Sequence, residues 1–343
     1  MRIGVLTGGG DCPGLNAVIR SIVRNGENVH GNTHLGIRRG WRGLLEKETI
    51  PLGLDQVRGI LPRGGTILST SRTNPFKDAD GGRVCAENAK ELGLDAVIAI
   101  GGEDTLGVAN RLSHEYDLPC VGVPKTIDND LDGTDYTFGF FTAVDIVTQA
   151  LDRVHTTAES HDRVIVVEVM GRHAGWIATY AGIAGGADFI LIPEDPQPIE
   201  RVCDAVMSRH QSGKKFSIIV VSEGFQFSED PHDGPLDDFG HRDLARANIG
   251  ERVADLISDR TGFEARSVVL GHVQRGGSPN AFDRILGTRF GSLAADLVAH
   301  GKFGRMVALR GDEVIDIPIS EGVARLKTVP PERYAVARPF FGF

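Results

Sequence analysis

Four acids and one lysine fall in two short segments, Gly101-Gly102-Glu103-Asp104-Thr105 and Pro124-Lys125-Thr126-Ile127-Asp128-Asn129-Asp130. Such a set suits phosphoryl transfer, which needs a metal to bridge phosphate oxygens, a base for the hydroxyl proton and positive charge on the leaving group. Mg²⁺ keeps several waters and takes only one or two protein carboxylates, which suits Glu103 as a ligand with Asp130 nearby. Asp128 then serves as the base. Alternation along an extended segment places Thr126, Asp128 and Asp130 on one side. Taken singly, Glu103 or Asp104 could be a helix-dipole complement, and Asp128 or Asp130 part of an Asx turn. The pairing of the two segments favours chemistry.

Anion-binding groups occur elsewhere along the chain. Gly8-Gly9-Gly10 offers backbone N–H groups and a helix N-terminus to a phosphate. It fits neither GxGxxG, since Pro13 takes the sixth position from Gly8, nor Walker A, since no Gly-Lys-Ser/Thr follows. Arg72, Arg163, Arg172, Arg266 and Arg275 stand at or beside expected strand ends. One exposed arginine is ordinary, but five so placed in an acidic chain suggest guanidinium forks on a phosphorylated substrate. His272, near Arg275, is a further candidate phosphate donor.

Positioning these groups falls to an alternation of β-branched runs and helical periodicities, the signature of an α/β fold with parallel sheets. A first strand ends at Val5-Leu6. Further strands are expected over 96–100 and 120–123, so that both acidic segments follow strand C-termini, where open α/β sheets bind ligands. Helices are expected over 15–23, 83–92, 107–116, 138–157 and 281–299. A second strand-rich block covers 164–168, 189–192, 217–221 and 266–270. The polar stretch 228–238, rich in Asp, Pro and Gly, reads as a surface loop.

At 343 residues the chain is long enough for two domains. Its 37 Lys and Arg against 46 Asp and Glu give a net charge of −9, which argues against a general nucleic-acid binder. Cys12, Cys85, Cys120 and Cys203 lie far apart without metal-ligand spacing and read as reduced thiols. No apolar run approaches a membrane span, and Met1-Arg2-Ile3 enters a strand directly, which makes the cytoplasm the expected location.

The segments Thr-Gly-Gly-Gly-Asp-Cys-Pro-Gly-Leu-Asn (7–16), Pro-Lys-Thr-Ile-Asp-Asn-Asp (124–130), Glu-Val-Met-Gly-Arg (168–172) and Gly-His-Val-Gln-Arg-Gly-Gly-Ser-Pro (271–279) resemble, in order, the signatures of the phosphofructokinase family. The resemblance extends over nearly the whole chain. It implies two Rossmann-like three-layer domains with mainly parallel sheets and an active site in the cleft between them. Residues 1–139 with 275–305 would bind the phosphoryl donor and Mg²⁺, and residues 140–274 with 306–343 fructose 6-phosphate. By the same resemblance Asp128 is the proton acceptor and Thr126 touches the sugar. Ile127 lies beside them, and Met170, Gly171, Arg172, Glu223, His272, Val273, Gln274 and Arg275 line the sugar-phosphate pocket. Gly10 and Arg72 match phosphoryl-donor contacts, and Glu103 matches the metal-binding acid. Arg163 and Arg266 match arginines that reach across from a neighbouring subunit, which implies a homodimer or homotetramer.

Two departures bear on the donor. ATP-using members of the family read Gly-Gly-Asp-Gly-Ser and Pro-Gly-Thr-Ile-Asp-Asn-Asp, whereas this chain carries Asp104 and Lys125 at the two glycine positions. This is similar to the diphosphate-dependent branch of actinobacterial type. Asp104 puts bulk and charge where a nucleotide's α-phosphate would approach, and two like charges ~4 Å apart repel by roughly 4 kcal/mol at an effective dielectric of ~20. Diphosphate has no α-phosphate, and Lys125 can neutralise the charge developing on the departing phosphate. Some ATP-using relatives keep a lysine near this position, so Asp104 carries more of the argument. The alternative is the ATP-dependent form of the same reaction. A dinucleotide oxidoreductase lacks its fingerprint here, and a non-catalytic sensor would be expected to have lost Asp128 and Glu103. Arg20, Arg24 and Lys214 match part of a nucleotide-effector interface, but Leu54 and His155 replace expected arginines, so weak effector control is expected.

Overall fold

In the computed structural model, which describes residues 1–228, 230 and 248–341, apolar runs form the strands and amphipathic segments the helices between them. In chain order these are β1 (Arg2–Thr7), α1 (Leu15–Asn28), β2 (Thr33–Ile37), α2 (Trp41–Leu45), β3 (Thr49–Pro51), α3 (Gly81–Glu91), β4 (Ala96–Gly101), α4 (Glu103–Glu115), β5 (Cys120–Pro124) and α5 (Phe140–His161). There follow β6 (Val164–Val169), α6 (Trp176–Ala184), β7 (Phe189–Leu191), α7 (Ile199–Gln211), β8 (Ser217–Ser222), α8 (Ile249–Thr261), β9 (Ala265–Val269), α9 (Ala281–Ala299), β10 (Arg305–Arg310) and β11 (Glu313–Pro318). Of the stretch 228–238, only Ser228 and Asp230 are among the described residues.

The chain divides into two units, Met1–Thr142 with Arg275–Leu326, and Ala143–Gln274 with Lys327–Phe343. The first holds a seven-stranded sheet in the order β11-β10-β5-β4-β1-β2-β3. Its five central strands are parallel, and β3 and β11 run antiparallel at the two edges. β4 and β5 are buried along their whole length, so both faces of the sheet are covered. Leu6, Val97, Ala99 and Cys120 pack with Cys85 and Ala89 of α3 and Leu106, Ala109 and Leu112 of α4. The alternate residues Val5, Ile98, Ile100, Val121 and Val123 are equally inaccessible from the other face. α9 lies along α1, where Ser21 Oγ donates to the Thr288 carbonyl (2.6 Å) and Asn25 Nδ2 to the Ser292 carbonyl (3.0 Å).

The second unit holds a four-stranded parallel sheet in the order β7-β8-β6-β9, in which β9 is an edge. Residues 306–326 belong with the first unit, whereas sequence reasoning grouped 306–343 with the second. The reason is β-pairing: β10 adds in parallel to β5 through Arg305 opposite Val121, and β11 folds back on β10. Such edge pairing has no signature in the strand sequence itself.

Candidate active site

In the first unit the C-terminal ends of β1, β4 and β5 stand in register, with Thr7 opposite Ile100 and Gly101 opposite Pro124. The glycine loop, α4 and the 125–130 segment leave from these ends. Backbone bonds tie the three together: Gly8 N–H donates to the Ile100 carbonyl (2.9 Å) and Lys125 N–H to the Gly101 carbonyl (2.9 Å). Gly9 N–H donates to the Ser71 carbonyl (3.0 Å), and Thr70 Oγ1 donates to the Gly9 carbonyl (2.6 Å). Thr70 and Ser71 thus brace the glycine loop. Arg72, expected beside a strand end, is instead exposed in the strand-free stretch that follows them.

Lys125 is only 4% exposed, and its Nζ donates to the Gly10 carbonyl. Burial is the chief cause of a pKa below the ordinary lysine value; the nearby Arg275 acts in the same sense, while Cys12, Asp128 and Asp11 oppose it. The Cys12 thiol beside it is pushed up to about 12 by burial, and all four cysteines are buried and unbridged. Arg275 lies against the same loop. Its Nη1 donates to the Asp11 carbonyl (3.3 Å) and would stand 2.6 Å from a β-carbon at position 10, so a side chain there would displace the guanidinium. Sequence reasoning grouped Arg275 with the sugar-phosphate residues; the fold sets it beside the loop expected to hold the donor.

The 125–130 segment departs from a plain strand. β5 ends at Pro124, and Asn129 adopts a left-handed conformation (φ 52°) that an asparagine tolerates. Its Oδ1 accepts from Thr137 N–H (3.1 Å), and the Asp128 amide donates to Thr126 Oγ1 (3.0 Å). The alternation nonetheless survives: Thr126, Asp128 and Asp130 are half-buried on the open side, while Ile127 and Asn129 point into the core. Glu103 and Asp104 occupy the exposed first turn of α4. They line a depression of about 230 Å³ whose walls include Asn74, Phe76, Gly107 and Arg111. No group of three or more possible metal ligands occurs among the described residues. Glu103 is an exposed carboxylate of the kind that Mg²⁺, which keeps several waters and takes only one or two protein carboxylates, accepts as a ligand.

In the second unit, Met170 and Gly171 follow the C-terminal end of β6, and Glu223 follows β8. Met170 N–H donates to Gln274 Oε1 (3.1 Å) and Gly171 N–H to Glu223 Oε1 (3.4 Å). Gly171 is held at φ 132°, a conformation that L side chains rarely adopt, with its carbonyl accepting from Ser222 Oγ (2.6 Å). Gln274 is fully buried and also bonds the Gly271 carbonyl (3.0 Å), so it braces this turn. Arg172 is half-buried nearby in sequence, while His272 and Val273 are exposed. At the other end of the same sheet Arg163 and Arg266 meet on one carboxylate, that of Glu264. Sequence reasoning passed over Glu264, although an acid two residues before Arg266 at strand spacing was a readable signal.

A glycine loop and a buried lysine at parallel strand ends, flanked by acids and guanidinium groups, define an α/β enzyme that handles phosphoryl groups. The model of the family described as Phosphofructokinase matches residues 2–298, and the chain belongs to that family. A pyrophosphate–fructose 6-phosphate 1-phosphotransferase of Streptomyces coelicolor is 59% identical over 349 residues, covering the whole of both chains. ATP-dependent 6-phosphofructokinase 3 of the same organism is 52% identical over 340 residues, covering 98% of this chain and 99% of the relative. Among solved structures, phosphofructokinase from Saccharomyces cerevisiae superposes with a TM-score of 0.81 at 34% identity, over 99% of this chain; the present chain spans 46% of the yeast chain.

Proposed function

We infer that the chain is a diphosphate-dependent 6-phosphofructokinase, transferring a phosphoryl group reversibly from diphosphate to the 1-hydroxyl of fructose 6-phosphate. The products are fructose 1,6-bisphosphate and orthophosphate. Relatives at 59% and 52% identity bear different donor names, so overall likeness is a weaker guide than the residues at the donor loop. The observation that carries the assignment is Asp104 in the first turn of α4, supported by Lys125, which is buried and donates to the Gly10 carbonyl. A glycine at position 104 would leave room for a nucleotide's α-phosphate, where the aspartate adds bulk and negative charge.

Asp128 takes the proton of the sugar 1-hydroxyl as its oxygen attacks the terminal phosphorus. The bridging P–O bond breaks, and the electron pair leaves with orthophosphate, whose charge the Lys125 ammonium neutralises. Gly10 and Arg72 hold the diphosphate, and Arg275, beside the glycine loop, serves the transferred group. Thr126 and Ile127 shape the approach of the sugar, and Met170, Gly171, Arg172, Glu223, His272, Val273 and Gln274 form its pocket. Mg²⁺, held by Glu103, supplies charge neutralisation on the phosphate oxygens when bound.

Arg163 and Arg266 grip the 6-phosphate of a neighbouring subunit's substrate, so the working enzyme is a homo-oligomer. Supporting this, Arg266 lies on the edge strand β9, whose Val269 is 55% exposed, an unpaired strand edge that another copy could cover. No helix among the described residues is long and apolar enough to cross a membrane, and the cytoplasm is the proposed location.

The deciding assay supplies Mg²⁺ and fructose 6-phosphate with either diphosphate or ATP. Turnover with diphosphate is expected, and activity confined to ATP would overturn the donor assignment. Asp104→Gly is expected to lower activity with diphosphate and to admit some ATP, read from the ratio of the two kcat/KM values.

A further inference from the structure

β6 and β9 are parallel neighbours, with Val164 opposite Ala265 and Ile165 opposite Arg266. The Val164 amide donates to the Glu264 carbonyl (3.0 Å), so Arg163 and Glu264 enter the sheet side by side. Two residues on, strand alternation returns Arg266 to the face of Glu264. Oε1 of Glu264 lies 2.8 Å from Nη2 of Arg163 and 2.8 Å from Nη2 of Arg266. Nε of Arg163 is buried without a hydrogen-bond partner among the described residues. Two adjacent guanidinium groups repel and would splay if unrestrained. The shared oxygen holds them together, and each guanidinium has five N–H donors from which to offer others to a ligand.

We infer that Glu264 is a positioning residue for the sugar phosphate: it fixes Arg163 and Arg266 as a paired fork before the phosphate arrives. This rests on the role given above to the two arginines. The geometry makes a signed prediction, because removing Glu264 has two opposed effects. Loss of its charge strengthens the local positive field and would tighten phosphate binding; loss of its bonds frees the arginines and weakens it. A bidentate grip depends on orientation more than on field, so the second effect dominates.

The test is steady-state kinetics of the full chain with fructose 6-phosphate and diphosphate. Glu264→Gln is expected to raise KM for fructose 6-phosphate about three- to tenfold, leaving kcat and the KM for diphosphate within about twofold. Glu264→Asp, which keeps the charge, is expected to recover part of the loss. Because the Glu264 side chain is 45% exposed, the melting temperature should not move. Arg163→Ala and Arg266→Ala separate the two levels of the argument. If they raise this KM while Glu264→Gln leaves it unchanged or lowers it, the positioning role falls and the arginine reading stands. If neither arginine variant alters it, both fall. A Glu264→Gln protein that melts early, or sediments as a smaller species than the parent, overturns the positioning role in favour of a structural one.

Discussion

Lys125 reaches the carbonyl of a residue 115 positions earlier in the chain, and that contact separates its chemistry from that of a surface lysine. Its pKa is lowered mainly by burial, so it gives up its proton at lower pH than the ordinary 10.5. The apparent affinity for diphosphate is therefore expected to weaken on the alkaline side before an ordinary lysine would titrate. Lys125→Arg, with a cation that stays charged, should move that limb upward; KM for diphosphate measured against pH tests it. Asp128→Asn should lower kcat by about 10²- to 10⁴-fold, the usual worth of a general base, with no change in far-UV circular dichroism. The side on which Asp128 sits was readable from alternation with Thr126 and Asp130. The burial of Lys125 was not, because the groups that enclose it, Gly9, Gly10, Cys12 and Arg275, are distant in sequence.

Helix α9 rests on α1 at two glycines. A β-carbon at Gly291 would lie 2.5 Å from the Val18 carbonyl and 2.8 Å from Ser21 Cβ, so the helices approach too closely for a larger residue. Gly291→Ala is expected to destabilise by about 1–3 kcal/mol, read as a lower urea midpoint. On β2, the His34 ring is buried beside α1, and among the described residues neither ring nitrogen has a hydrogen-bond partner. Glu27 comes only to 3.8 Å, and burial wins, lowering the His34 pKa from 6.5 to about 4. A depressed folded-state pKa means that the unfolded chain binds the proton more tightly. Stability is thus full above pH 6.5 and falls as pH drops toward 4, by about 3 kcal/mol in all. His34→Gln should flatten that part of the urea-midpoint profile. The helices and strands at the site were legible because their periodicities are strong, and α9 spans 281–299 as its pattern predicts. The outer strands β2, β3, β10 and β11, two at each side of the sheet, were not, because they are short or mixed in character and are recruited by pairing.

The proposed role of Arg163 and Arg266, serving the active site of a second chain, predicts that a monomer is inactive. Two variants defective for different reasons should then complement each other. When Asp128→Asn and Arg163→Ala chains are dissociated and reassembled together, half of the randomly formed dimers are mixed. Each of these contains one site with both functional groups, so activity should recover to roughly a quarter of the parent's. No recovery, in mixtures shown by mass spectrometry to contain mixed dimers, would place both functions in one chain.

The sequence by itself determined the family and the reaction class, and it placed Thr126, Asp128 and Asp130 on one side, because these lie in contiguous segments where spacing and strand alternation fix which side chains share a side. It also carried Asp104 and Lys125, the two residues on which the proposed donor assignment rests. Only the tertiary structure decided that Lys125 is buried against the glycine loop and that Arg275 joins it there. It likewise decided that residues 306–326 complete the first sheet and that Glu264 ties Arg163 to Arg266. Each of these depends on segments brought together by strand pairing and core packing, and burial, with the pKa shifts it causes, is a property of that assembly.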